Sequence, residues 1–105
     1  MANYAKLESA DAKLPLRKGA TFTVGLPLHS DIVDVLWNGD ARRVTFIFAT
    51  PASYGAEPVI VERKFFAIGK GEPIVDNPCR FVQTLMDDGE RSDMYLFEVT
   101  PDQTA

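Results

Sequence analysis

The chain has 105 residues, 46% hydrophobic and 25% charged, the composition of one ordinary globular domain; a second domain is excluded. Lys and Arg number 11 against 15 Asp and Glu, a formal charge of −4. No run of like charge is long enough for a nucleic-acid arm or an acidic tail, so nucleic-acid binding and DNA mimicry are both disfavoured. One cysteine, Cys79, permits no intrachain disulfide, the opening residues lack an apolar signal-peptide core, and no apolar run approaches the roughly 20 residues that cross a bilayer. A cytoplasmic protein without membrane contact is the expectation.

Residues 1–11 are small and polar and read as a flexible lead-in that frays, with the domain itself over 12–100 and a short flexible tail at 101–105. From Ala12 onward, short apolar segments alternate with Gly and Pro punctuation. Ala20, Phe22, Val24 and Leu26 alternate with small or polar neighbours, as in a half-buried strand. Pro27 ends that strand or confines it to a sheet edge, because proline has no N–H for a ladder. Residues 31–37 and 43–48 flank Asn38-Gly39-Asp40. Two β-branched or aromatic runs around Asn-Gly predict a hairpin with a type I′ turn, which needs positive φ at its centre. The competing reading is a helix over 31–37 capped by Ser30, with Ile32, Val35 and Leu36 at helical spacing; shortness and β-branching argue against it.

Residues 51–58 read as a surface loop. Residues 59–68 read as a long strand near an edge, with Val59, Val61, Arg63 and Phe65 on one face and Ile60, Glu62, Lys64, Phe66 and Ile68 on the other. Gly69-Lys70-Gly71-Glu72-Pro73 and Asp76-Asn77-Pro78 are turns, 80–86 is a strand, and Asp87-Asp88-Gly89-Glu90 is a hairpin turn. In the last strand, 92–99, Tyr95, Phe97 and Val99 alternate with Met94, Leu96 and Glu98. The expected fold is all-β, or β-rich α+β: a single antiparallel sandwich or partly open barrel of about six to seven strands built from hairpins.

Chemistry-bearing residues are sparse. His29-Ser30-Asp31 has the residue types of a hydrolase triad, but adjacent residues on an extended chain point to opposite sides. His29, the single histidine, therefore reads as a loop residue, and no catalytic residue is assigned. The glycines around Lys70 fit neither the Walker nor the dinucleotide pattern and read as turn formers, leaving Lys70, with Arg80 or Lys64, as a possible anion or nucleotide contact. One histidine and one distant cysteine predict no metal site, no cofactor is implied, and residues 87–90 read as a solvated turn rather than a calcium loop. Cys79 reads as a small buried side chain rather than a nucleophile. Phe46, Phe48, Phe65, Phe66, Phe81, Tyr95 and Phe97 read as core rather than as a stacking platform for single strands, which would need basic residues around it. Trp37, beside the Asn-Gly turn, either closes the core or anchors a partner. Lys70, Glu72, Arg80 and Trp37 are the candidate binding residues.

The order of several segments resembles a family of short uncharacterised proteins encoded by bacteriophages and prophages. The resemblance covers Ala12 to about Val99. It is carried by a leading strand pair ending in Leu26-Pro27, by Asp31-Ile32-Val33-Asp34-Val35 and its return strand, and by Glu62-Arg63-Lys64-Phe65 running into Ile68-Gly69-Lys70-Gly71-Glu72-Pro73-Ile74. Phe81-Val82-Gln83-Thr84 and Tyr95-Leu96-Phe97-Glu98 close it. The family pattern has Thr where this chain has Lys70, and His where it has Glu72 and Leu96, so no role of those histidines carries over. What the resemblance implies is a phage origin and a β-rich fold, with no activity.

Binding rather than catalysis is the expected function. The leading expectation is a phage accessory protein that contacts a host protein or a small defence-related ligand in the cytoplasm of the infected bacterium. The alternative is a virion component, a capsid decoration or tail accessory protein that docks through β-edges. An enzyme acting through His29 and carboxylates is the least favoured reading.

Overall fold

Valine, isoleucine, phenylalanine and threonine dominate the alternating runs of this chain, and side chains branched or aromatic near Cβ pack best on a pleated ladder. In the computed structural model, which describes residues 4–17, 19–51, 59–73, 78–87 and 90–100, these runs form seven strands. They are β1 (Tyr4–Lys13), β2 (Phe22–Pro27), β3 (Asp31–Asn38), β4 (Arg43–Pro51), β5 (Ile60–Gly69), β6 (Cys79–Asp87) and β7 (Glu90–Val99). Among the described residues no helix occurs, and none is long and apolar enough to cross a membrane. The loop expected at 51–58, the turns at 76–78 and 87–90 and the tail at 101–105 lie wholly or largely outside the described residues.

The ladder order is β1-β4-β3-β6-β7-β5-β2. It is folded over into two antiparallel sheets, β1-β4-β3 and β6-β7-β5-β2, which meet where the parallel strands β3 and β6 share the register pair Trp37↔Asp87. The sheets are not closed into a barrel, and the fold is an all-β sandwich. Hairpins join β3 to β4 and β6 to β7; the pairs β1·β4, β2·β5 and β5·β7 bring together strands that are distant in the chain. Residues 31–37 are a strand, not a helix, and β2, which carries Pro27, is an end strand of the ladder as that proline requires. Strand β5, with its mixed faces, lies one strand in from that edge.

The core fills the space between the sheets. Phe46 of β4 and Phe65 of β5 are fully buried, their ring centroids 4.7 Å apart, and Phe22 of β2 lies 6.4 and 6.1 Å from them. Leu26, Val35, Val44, Leu85 and Leu96 are the other fully buried side chains of this cluster. Each large apolar side chain taken out of water here contributes about 1.5–3 kcal/mol.

Three expectations are corrected. Of the expected lead-in, residues 4–11 are not unpaired: β1 runs in register along β4, with Ala10 opposite Phe46 and Ala12 opposite Val44. The strand's attachment comes from the backbone ladder, which composition does not report. The β3–β4 hairpin forms, but its loop spans residues 39–42 and the positive φ falls on Arg42 (φ 52), not on Gly39. Asn38 Oδ1 accepts the Ala41 N–H at 3.2 Å, and the Arg42 N–H donates to the Gly39 carbonyl at 3.4 Å, so the loop is built on a turn followed by a left-handed residue. Finally, Phe81 is not core. It is 53% exposed on the outer face of the larger sheet, where it meets Phe97 edge-on at 5.6 Å while Phe66 stacks on Phe97 at 5.4 Å.

Candidate functional site

Strands β3 and β6 lie side by side as a seam rather than a full ladder. Among the described residues Trp37↔Asp87 is the one register pair they share. Both strands are irregular here in their antiparallel pairing: one extra residue falls between Ile32 and Asp34 of β3 against β4, and one between Phe81 and Gln83 of β6 against β7. Such bulges turn a strand away from its neighbour. Midway along the seam a side chain replaces a rung, as Gln83 Nε2 donates to the Val35 carbonyl at 2.7 Å. Asp34 Oδ1 accepts the Val35 N–H at 2.8 Å, so the next backbone donor of β3 is capped by its neighbour. Beyond this point the strands separate around a cleft of about 270 Å³ lined by Asp31, Ile32, Arg63, Arg80, Phe81 and Val82.

The inner wall of this open end is an ion network. Glu98 is in phase with Leu96 on the core face of β7 and is 7% exposed, a position that a carboxylate holds only with partners. Arg63 supplies two of them, Nε to Oε2 at 2.7 Å and Nη2 to Oε1 at 2.8 Å. Arg80, in register with Glu98, adds Nη2 to Oε1 at 2.6 Å. Burial pushes the Glu98 carboxyl up, but the hydrogen bonds and charges of Arg63 and Arg80 outweigh it and hold the group below the usual carboxylate range. The hydrogen bonds to Glu98 in turn raise the pKa of Arg63 against the effect of its own burial.

Arg63 does more than neutralise Glu98. Its Nη1 donates to the Ser30 carbonyl at 3.0 Å, tying the larger sheet to the turn that feeds β3, and its guanidinium lies 5.9 Å from the Phe65 ring centroid. Arg80 is different: its side chain is 61% exposed, and its bonds to Glu98 come from Nε and Nη2.

The four residues expected to bind a ligand fall into two groups. Trp37 closes the narrow end of the seam, half-buried against the core, and Arg80 stands at its open end. Lys70 and Glu72 lie elsewhere, in the turn after β5. There the Glu72 N–H donates to the Gly69 carbonyl at 3.2 Å and Gly71 has φ 89, the left-handed third position of a type II turn that favours glycine. An anion site combining Lys70 with Arg80 is therefore not formed. Phe65 is in register with Glu98 and Gly69 with Met94, so the turn and Arg80 are separated by about 13 Å along the strands. Lys64, the other partner considered, is exposed on β5 opposite Thr23.

His29 is exposed with φ 66 in the turn before β3, as a loop residue, and the Ser30 hydroxyl donates to the Pro27 carbonyl at 2.5 Å. Cys79 is a half-buried free thiol at the start of β6. Arg63 and Glu98 were absent from the expected site. The available signal was one charge of each sign in phase with the apolar face of its strand.

Comparison of the chain with protein-family models, with curated proteins and with solved structures finds no match in any of the three.

Proposed function

We propose that this chain is a non-enzymatic protein-recognition domain that takes a short extended segment of a partner into the open end of the β3–β6 seam. The observation that carries this reading is the seam itself: two adjacent strands that, among the described residues, share one register pair at Trp37↔Asp87 and separate around the cleft between Asp31 and Arg80. A sheet that opens this way offers backbone to an added strand and side-chain pockets beside it. Arg80, exposed and held in place by Glu98, is a fixed donor for a carboxylate of the incoming segment, and the exposed Phe81, which also lines the cleft, is an apolar contact beside it. The resemblance to phage- and prophage-encoded proteins supports a bacterial host protein as the partner, met in the cytoplasm of the infected cell.

The test is selection of a random peptide display library on the purified domain. Enrichment of extended sequences with an acidic residue beside an apolar one is expected, with binding lost in the variant Arg80→Glu at unchanged fold by circular dichroism. Failure to enrich any sequence, or enriched peptides that bind Arg80→Glu equally well, would overturn the reading.

A second reading, a virion component that docks through β-edges, has its own support in β1. It is an end strand of the ladder and carries the exposed Leu7. It predicts concentration-dependent self-association, abolished by Leu7→Lys, in sedimentation experiments.

A further inference from the structure

The end of the sandwich opposite the ion network holds a second, unrelated site. Here a cavity of about 170 Å³ reaches down to Leu14, Ala67 and Met94 and is rimmed by Pro15, Leu16, Arg17, Arg42 and Glu72. Leu14 and Ala67 belong to the buried core, so the floor is apolar. The cavity opens into a groove of about 650 Å³ that it shares with Arg17, Gly19, Ala20 and Glu72. Two glycine turns form the groove's banks. The Ala20 N–H donates to the Arg17 carbonyl at 3.2 Å over Gly19 (φ 73), and the Glu72 N–H donates to the Gly69 carbonyl over Gly71 (φ 89). The first turn rests on the sheet, with Gly19 against Ile68.

Arg42 is the unusual residue of this cavity. It holds a left-handed backbone conformation (φ 52) that costs an arginine about 1–2 kcal/mol. Its backbone carbonyl accepts the Leu14 N–H at 2.8 Å and its Nη2 donates to the Pro15 carbonyl at 2.7 Å, so backbone and guanidinium are both fixed. Its Nε is buried and has no hydrogen-bond partner. A strained backbone and an unmatched buried donor on one residue are the kind of defect that persists at a binding site. Arg17, exposed at the mouth, and Arg42 together oppose the single carboxylate of Glu72 among the described lining residues, which leaves one positive charge in excess over an apolar floor.

We propose that this cavity binds a carboxylate carried on a short apolar chain, with the aliphatic part on Leu14, Ala67 and Met94 and the carboxylate on the guanidiniums of Arg17 and Arg42. Two sources share that chemistry, a free aliphatic acid and the C-terminus of a peptide ending in an aliphatic residue. The site is independent of the seam.

The experiment is titration of the ¹⁵N-labelled full chain with hexanoate, with hexanol, and with acetyl-alanyl-leucine as the free acid and as its amide. Expected are saturable shifts of the Gly19, Ala20 and Gly71 amides with one or both carboxylates below about 10 mM. Hexanol and the amide should bind at least about tenfold more weakly, and Arg17→Glu should weaken the acids by about tenfold with the rest of the spectrum unchanged. Hexanoate binding would identify the free acid as sufficient, and binding of the dipeptide acid alone would identify a peptide C-terminus. No saturable shift with either acid, equal binding of the uncharged analogues, or an unaffected Arg17→Glu would each overturn the proposal.

Discussion

Arg63 and Glu98 form a two-armed guanidinium–carboxylate pair, at 2.7 and 2.8 Å, on adjacent strands but 35 positions apart in the chain. Breaking a buried pair by removing one partner leaves the other charge out of water without compensation. Glu98→Ala is therefore expected to lower the free energy of unfolding by about 3 kcal/mol, measured by urea denaturation. Arg80→Ala, which removes the largely exposed arm, should cost less than about 1 kcal/mol. Equal costs for the two variants would show that Arg63 does not depend on Glu98.

Acid should reveal the same group. The folded-state pKa of Glu98 is lowered because the two arginines outweigh the effect of burial. Its contribution to stability is therefore fully present above the ordinary carboxylate pKa, about 4.3, and is lost as pH falls through the lower folded value. The urea midpoint of the wild type should fall steeply below about pH 4.3, and the variant Glu98→Gln, less stable at pH 7, should show a shallower decline across that window. Parallel pH profiles for the two proteins would remove Glu98 from the acid response.

The rings of Phe46 and Phe65 join the two sheets at 4.7 Å. Phe46→Ala and Phe65→Ala should each cost about 3–5 kcal/mol, since each removes a fully buried ring and leaves a cavity. The double variant should cost less than the sum by at least about 0.5 kcal/mol, because the rings touch. Strict additivity in a denaturation cycle would mean that the sheets are held together elsewhere.

Arg42 provides a backbone test. Arg42→Ala and Arg42→Gly both lose the bond from Nη2 to the Pro15 carbonyl, but only glycine relieves the left-handed φ of 52. The glycine variant should therefore be more stable than the alanine variant by about 1 kcal/mol. The opposite order in thermal unfolding would show that the loop rearranges when the guanidinium is removed.

Six of the seven strands were legible in the sequence because alternation and turn residues are local signals. Pro27 marked an edge strand, Gly71 a turn, and Asn38-Gly39 a hairpin. The seventh, β1, was not, because Ala10 and Ala12 carry little apolar surface and the strand is held by a ladder with β4 that only the fold supplies. The hairpin turn was misassigned in type for a related reason. Asn-Gly favours positive φ locally, but the register Asn38↔Arg43 makes a longer loop in which Arg42, anchored to Leu14 and Pro15, takes the left-handed position. Trp37 and Arg80 were singled out, yet nothing local indicates that they stand at opposite ends of one seam. Arg63 and Glu98 were each visible in phase with apolar neighbours. Their pairing was not, since it depends on β5 and β7 being neighbours in space.

The order of strands in the ladder also governs how a newly made chain matures. Glu8 of β1 bonds to Thr50 of β4 across a separation of 42 residues, and β2 pairs with β5. During synthesis β1 and β2 therefore emerge before their partners β4 and β5 and wait for those later segments. Closing such long loops before any contact rewards them slows folding. For that interval β1 and β2 expose bare backbone to other nascent chains.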